Sequence, residues 1–412
     1  MIHRVRSIYL SQSIVVWMLG VTQIIGYGTI YYSFAILAGD IAADFHWPIS
    51  WVYGAFSIAL LCGGLIAPIV GKYVDSHGAP LVMAVGSVTS AVALAGTALA
   101  MGPVSFVLCL IALQASASLV LYDAAFASIV QMAGTGARRR ITHLTLIAGF
   151  ASTLFWPFTS WLHGVVDWRS TLLLFAAANF LICLPLHMLL TVARTDRSET
   201  EETSSAELPD GPLLPEASHR QALILITLGF ALAGFLLSAI LAQMVPMLQA
   251  LGLGTSALLV STLFGPSQVL VRFVSMVFGV RRHPLSITIL AVAVLPLAVA
   301  ILLGTSPLIG GAVIFAVLLG FGSGLKSIVQ GTLPLALFGS ASYGARLGTM
   351  ALVRQFLAAI APFSFALVSE EMGTGSALIF LMIFAALGLA AFIEVARLRR
   401  RTIAVALSSP AL

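Results

Sequence analysis

Charge is what this sequence has least of. Asp, Glu, Lys and Arg together make up 8% of its 412 residues, against 60% hydrophobic side chains. A soluble chain is typically about a quarter charged, so too little polar surface is present to cover a water-soluble fold. Cysteine is scarce as well. Cys62, Cys109 and Cys183 lie inside apolar runs at unrelated spacings. That excludes a disulfide framework or a thiolate metal site and leaves buried, inert thiols. No Gly-x-x-x-x-Gly-Lys-Ser/Thr run occurs, which excludes a P-loop ATPase. No catalytic constellation and no cofactor motif is present, so neither enzyme activity, nor a cofactor, nor a metal is expected. A cleavable leader is not expected either: the first apolar run is too long for a signal h-region, and no small-residue cleavage site follows it.

Apolar runs of membrane-spanning length are what the chain has in excess. They fall at roughly 12–38, 48–71, 80–101, 104–132, 142–164, 169–191, 221–249, 256–279, 285–304, 308–331, 346–369 and 376–397. Each is near the ~20 residues a helix needs to cross the hydrocarbon. The runs are continuous, whereas a membrane strand alternates in polarity over about ten residues. Lipid permits only helices and closed barrels. The expected fold class is all-α integral membrane, with twelve transmembrane helices.

Lys and Arg set the orientation. Of the 20 present, Arg272, Lys326 and Arg354 fall inside apolar runs. With alternating spans, sixteen of the others lie on the side of both termini and one, Arg169, lies opposite. The positive-inside rule then places both termini in the cytoplasm. A missed or invented span would scramble this asymmetry, so it also supports the count. The net charge of +5 reflects these loop residues and gives no reason to expect nucleic acid. The expected setting is a plasma membrane of the bacterial inner-membrane type, and the expected partners are the lipid bilayer and a small-molecule substrate. The chain is expected to act as a monomer.

Residues 193–219 read ARTDRSETEETSSAELPDGPLLPEASH, an acidic, Ser/Thr/Pro-rich stretch expected to be a cytoplasmic linker. It divides the spans six and six, giving an N-terminal bundle at 1–192 and a C-terminal bundle at 220–412 with a short basic tail. The halves share weak features: Gly20 with Gly229, Trp156-Pro157-Phe158 with Ala361-Pro362-Phe363, and Arg138-Arg139-Arg140 with Arg346. Together these suggest a parallel duplication into two six-helix pseudo-symmetric bundles. The two proline sites read as helix kinks.

Between spans two and three the chain reads GKYVDSHG. Here it resembles the major facilitator superfamily, whose Gly-x-x-x-Asp-x-x-Gly loop is matched by Gly71, Asp75 and Gly78. The family usually continues with a basic pair; this chain has Ala79-Pro80. The corresponding loop of the second half, VFGVRRHP, keeps Arg281 and Arg282 but lacks the acid. The resemblance covers nearly the whole chain and implies a secondary transporter that works by alternating access, with this loop as a gate. In physical terms, Gly71 and Gly78 permit a tight turn between packed helices. Asp75 can pair with a cation or sit against a helix N-terminus. Its expected surroundings are Arg346 and the start of span eleven.

Four ionisable residues lie within the hydrocarbon: Asp123 in LVLYDAAFASIV, Arg272 in SQVLVRFVSMVF, Lys326 in GFGSGLKSIVQG and Arg354 in MALVRQFLAAIAPF. Each costs roughly 2.5–3.5 kcal/mol there unless it faces a partner or a watery cavity. All are expected at similar depth, close to the midplane where transporter sites sit. Asp123 is expected to pair with Lys326, because spans four and ten are counterparts; it reads either as that structural partner or as a proton carrier. Two positive charges remain in surplus, and buried surplus charge is costly, so the expected substrate is a small organic anion, carboxylate-like, exchanged or moved with protons. The superfamily resemblance implies that spans four, eight, ten and eleven line the cavity. A narrower resemblance, to oxalate/formate antiporters and monocarboxylate porters, implies that Arg272 and Arg354 hold carboxylates. Gln23, Tyr27 and Tyr31 recur at i, i+4 and i+8 on one helical face, as a hydrogen-bonding wall or as interhelical packing. GFGSG permits close helix contact. The alternative function is a proton-driven exporter of drugs or amphipathic metabolites, with Asp123 carrying the proton.

Overall fold

The computed structural model describes residues 8–133, 136–195, 213–278 and 282–408. These are helical apart from short connections and two three-residue strands, Ile8–Leu10 and Ala193–Thr195, which pair in parallel. Twelve helices are long and apolar enough to cross a membrane. Spans one to six are Gln12–Asp44, Ile49–His77, Ala79–Ala98, Pro103–Met132, Ala137–His163 and Trp168–Val192. Spans seven to twelve are Glu216–Leu253, Ser256–Val277, Pro284–Thr305, Ile309–Phe338, Tyr343–Met372 and Thr374–Arg401. The chain is thus an all-α, multi-pass membrane protein. Its contacts divide it into two compact units: Met1–Glu207 with Ser342–Leu352, and Leu208–Ala341 with Val353–Leu412. The first turns of span eleven therefore belong with spans one to six.

In the first unit, Phe34, Leu37, Leu94, Phe106, Leu110 and Phe175 fill the end away from the termini. Arg169, the lone cation of that side, is tied down there. Its Nε and Nη2 donate to Asp44 Oδ2 at 3.1 and 2.8 Å, and Nη1 donates to the carbonyls of Ala98 and Ala100. The guanidinium also lies 4.4 Å from the Trp168 ring centroid. One side chain thereby joins the ends of spans one, three and six that lie away from the termini. Arg169→Ala is expected to lower the stability of this unit by roughly 1–2 kcal/mol, because two carbonyls and an acid lose a charged donor at a partly exposed site. Thermal unfolding in detergent checks this, with Asp44→Asn expected to cost less.

Several spans are not uniform helices. Span one contains a π-helical turn at Gly28–Tyr32 and span six another at Asn179–Cys183; Asn179 Nδ2 donates to Thr29 Oγ1 across them at 2.9 Å. Span four, read as continuous from the sequence, is broken. Helix Pro103–Val120 ends at Leu121, which is extended (φ −83°, ψ −165°), and a second helix runs Tyr122–Ala133. Span five divides into Ala137–Ala148 and Ala151–His163, ahead of Pro157, whereas Pro362 lies inside the unbroken helix Tyr343–Met372. Gly20 packs against Ile147 of span five, but Gly229 packs against Phe392 of span twelve. These paired sequence features therefore have different local surroundings.

In the second unit, spans eight and ten touch backbone to backbone. Side chains at Gly320 or Gly324 would meet the carbonyls of Phe264 or Gln268, each at 2.6 Å. The GFGSG stretch is thus a close-contact face. The described ends of 193–219 are ordered: 193–195 form a strand, Leu214 N–H donates to Leu337 C=O at 3.0 Å, and helix begins at Glu216. The remainder of that linker, 196–212, lies outside the described residues.

Candidate functional site

The glycine contact between spans eight and ten sets two polar rungs. Gln268 Nε2 donates to Ser323 Oγ at 2.7 Å, and one turn on Arg272 Nε donates to Ser327 Oγ at 3.1 Å. The residue numbers rise together, so the helices run parallel and Arg272 lies level with Ser327. The distances from the helix ends are unequal, since Arg272 is near Phe278 while Lys326 is well before Phe338. The lateral contact, not the count along the chain, makes the cations level.

Lys326 and Arg354 meet at span seven. A Cβ built on Gly234 would lie 3.6 Å from Lys326 Nζ and 3.8 Å from Arg354 Cγ. Arg272 is 5% and Lys326 9% exposed, while Arg354 is half-buried. Lys326 and Arg354 thus flank Gly234, while Arg272 bonds Ser327, the chain neighbour of Lys326, and adjacent residues on a helix do not face each other. Between Glu216 and Glu370 the sequence contains no Asp or Glu. The three cations therefore lie in an acid-free stretch of chain. Ser327 and Gly234 were not singled out from the sequence. Their only signal is that they are small residues near the cations.

Asp123 belongs to the other unit. It occupies the first turn of the half-helix Tyr122–Ala133, where a carboxylate is favoured by the helix dipole. It lines a cavity of about 10 Å³, the size of one water, with Gly71, Ser118, Gly344 and Gly348. Tyr343, fully buried, lies within electrostatic reach of it.

The span-one residues divide among separate tasks. Gln23 is fully buried, and its Nε2 donates at 2.7 Å to the Val120 carbonyl freed by the break in span four. It therefore lines no open wall. Tyr27 packs on Tyr122 with ring centroids 4.8 Å apart. Tyr31 is 45% exposed and packs on Tyr32 and Phe56. The π-helical turn carries Tyr31 out of the i, i+4, i+8 register that a regular helix would keep.

The loop after span two is docked on the start of span eleven. Asp75 Oδ1 and Oδ2 accept from the N–H groups of Gly344 and Ala345, both at 2.8 Å. A carboxylate thus satisfies two of the four orphan donors of a helix N-terminus. The charge of Arg346 lies within electrostatic reach of Asp75. Gly71 and Gly344 are needed because any side chain on either would strike the other's backbone. Gly78 has φ +88° and ψ 135°, a conformation essentially restricted to glycine. The amide of Gln131 also holds this turn: Oε1 accepts from Ala79 N–H at 2.7 Å and Nε2 donates to Val74 C=O at 3.0 Å. Sequence reading passed over Gln131, a lone polar residue near the end of an apolar span. Among the described residues, no group of three or more His, Cys, Asp or Glu could hold a metal ion.

Twelve apolar helices and a docked Gly-x-x-x-Asp-x-x-Gly loop define a multi-pass membrane transporter. The profile of the Major Facilitator Superfamily matches residues 18–362. The chain belongs to this superfamily, and it is a secondary transporter that works by alternating access. No curated protein sequence matches it. Similar solved structures include the superfamily transporter FucP in its outward conformation (TM-score 0.70, 14% identity, covering 93% of this chain and 99% of that one). The human organic anion transporter MFSD10 (TETRAN) has TM-score 0.66 and 15% identity, covering 92% and 98%. The proton:xylose symporter XylE, bound to 6-bromo-6-deoxy-D-glucose, has TM-score 0.66 and 13% identity, covering 94% and 96%. At these identities the likeness is one of fold.

Proposed function

We propose that the transported substrate is a small organic anion of carboxylate type, held by Arg272, Lys326 and Arg354 and exchanged or moved with protons. The observation that carries this reading is three cations within apolar spans eight, ten and eleven, two of them flanking Gly234. Arg offers a carboxylate its bidentate fork, and Lys326 adds a point charge. MFSD10 is named for organic anions, which agrees with the reading in chemistry. Asp123, beside a water-sized cavity, is the group proposed to take the proton. Gly71, Asp75 and Gly78 form the proposed cytoplasmic gate, which the Asp75 bonds to span eleven hold shut.

A panel of carboxylates, compared with cationic amphiphiles, tests the substrate class by thermal shift of purified protein. Stabilisation by the amphiphiles alone would favour the proton-driven exporter. Gly234→Asp tests the location. It places a carboxylate in the notch between Lys326 and Arg354, so it is expected to raise the unfolding temperature and abolish stabilisation by carboxylates, while Gly234→Ala leaves both nearly unchanged. An aspartate variant that still responds to carboxylates would displace the site from Gly234.

The proposed setting is a plasma membrane, as a monomer with both termini in the cytoplasm. Single cysteines test the orientation: at Gly254 an impermeant maleimide is expected to react from outside intact cells, and at Ala341 only after permeabilisation. The reverse pattern would invert the topology.

A further inference from the structure

At the Gly78 turn one side chain meets two backbone groups, a carbonyl and an N–H. Val74 C=O, at the end of span two, already accepts from Gly78 N–H at 3.1 Å and accepts again from Gln131 Nε2 at 3.0 Å. Ala79 N–H, the first donor of span three, has no partner within its own helix and is met by Gln131 Oε1 at 2.7 Å. A side-chain amide does both at once, since it carries a donor and an acceptor on one planar group. Val74 is the residue before Asp75. Gln131 lies on the half-helix Tyr122–Ala133 that carries Asp123, and the break at Leu121 separates that piece from the rest of span four. The same half-helix therefore meets the gate twice, through Asp123 at the shared cavity and through Gln131 at the turn.

We propose that Gln131 is the positioning residue of the Asp75 gate: it locks the Gly78 turn, and with it the Asp75 carboxylate, to the half-helix bearing Asp123. This rests on the gate reading and is independent of the substrate. Movement of the half-helix then carries the turn with it and draws Asp75 away from the amides of Gly344 and Ala345. The clamp is uncharged, so it holds the turn without a cation at position 79 or 80.

The test uses a single cysteine at Val70, which is 7% exposed and lines the shared cavity, with Cys62, Cys109 and Cys183 replaced. The readout is the rate of maleimide labelling from the cytoplasmic side. Gln131→Met keeps length and bulk but loses both hydrogen bonds, and is expected to raise labelling about tenfold. Gln131→Glu at pH 8 keeps the acceptor but sets a second oxygen against Val74 C=O. It gives an increase of the same sign and serves if the methionine variant fails to fold. Placed on Asp75→Asn, Gln131→Met is expected to add nothing, because its effect runs through that carboxylate. If both Gln131 variants fold and label like the parent, or if the effects multiply in the double variant, the inference is overturned. If Asp75→Asn itself leaves labelling unchanged, the gate reading fails instead.

Discussion

Arg272→Ala and Arg354→Ala are each expected to weaken carboxylate binding by about 100-fold or more. A buried charge pair that loses one partner typically costs about 3–5 kcal/mol, and a tenfold change in affinity corresponds to about 1.4 kcal/mol. Lysine at either position is expected to recover little, because a point charge does not reproduce a bidentate fork. At position 272 it also lacks the Nε–H that Ser327 receives at 3.1 Å. Ser327→Ala is expected to have a smaller effect in the same direction, by letting Arg272 swing. Thermal shift against the carboxylate panel measures all of these. If both alanine variants bind like the parent, the cations are structural and the exporter reading takes over. Lys326→Ala is expected to bind weakly as well.

Asp75→Asn is expected to impair transport by about tenfold or more while leaving expression near normal. The carboxylate accepts from Gly344 and Ala345 with separate oxygens, both at 2.8 Å. An asparagine offers one acceptor, and its amide N–H₂ meets an N–H it cannot satisfy. Charge-assisted hydrogen bonds are worth about 1.5–3 kcal/mol each, and the charge at the helix N-terminus adds about 0.3–1 kcal/mol. Loss of one such bond shifts a two-state gate by about tenfold or more. Proteoliposome flux and cysteine labelling at Val70 read the two consequences separately. A variant with parental flux and parental labelling would show that the contact is not a gate. Gly344→Ala probes the contact from the other side. Its methyl would strike Gly71 C=O at 2.7 Å and Asp75 Oδ1 at 2.8 Å, so span eleven cannot dock as it does now.

The sequence by itself determined the number and kind of spans. Lipid offers backbone groups no partners, so a long apolar run must satisfy its own hydrogen bonds and form a helix. The docking of Asp75 was also partly legible, because a Gly-x-x-x-Asp-x-x-Gly loop between two spans suits a carboxylate at a helix N-terminus. The break at Leu121 was not legible. LVLYDAA has neither proline nor glycine to mark a break. The freed Val120 carbonyl is instead met by Gln23, 97 residues away in the chain, and that compensation exists only once the spans are packed. The same holds for Gln131, whose partners Val74 and Ala79 lie 57 and 52 residues off. It holds for Gly234 too, which matters only because Lys326 and Arg354 come to flank it. Helices in lipid form from local hydrogen bonds that the sequence encodes directly. Breaks, clamps and charge clusters depend on which distant side chain arrives, and that is decided by packing.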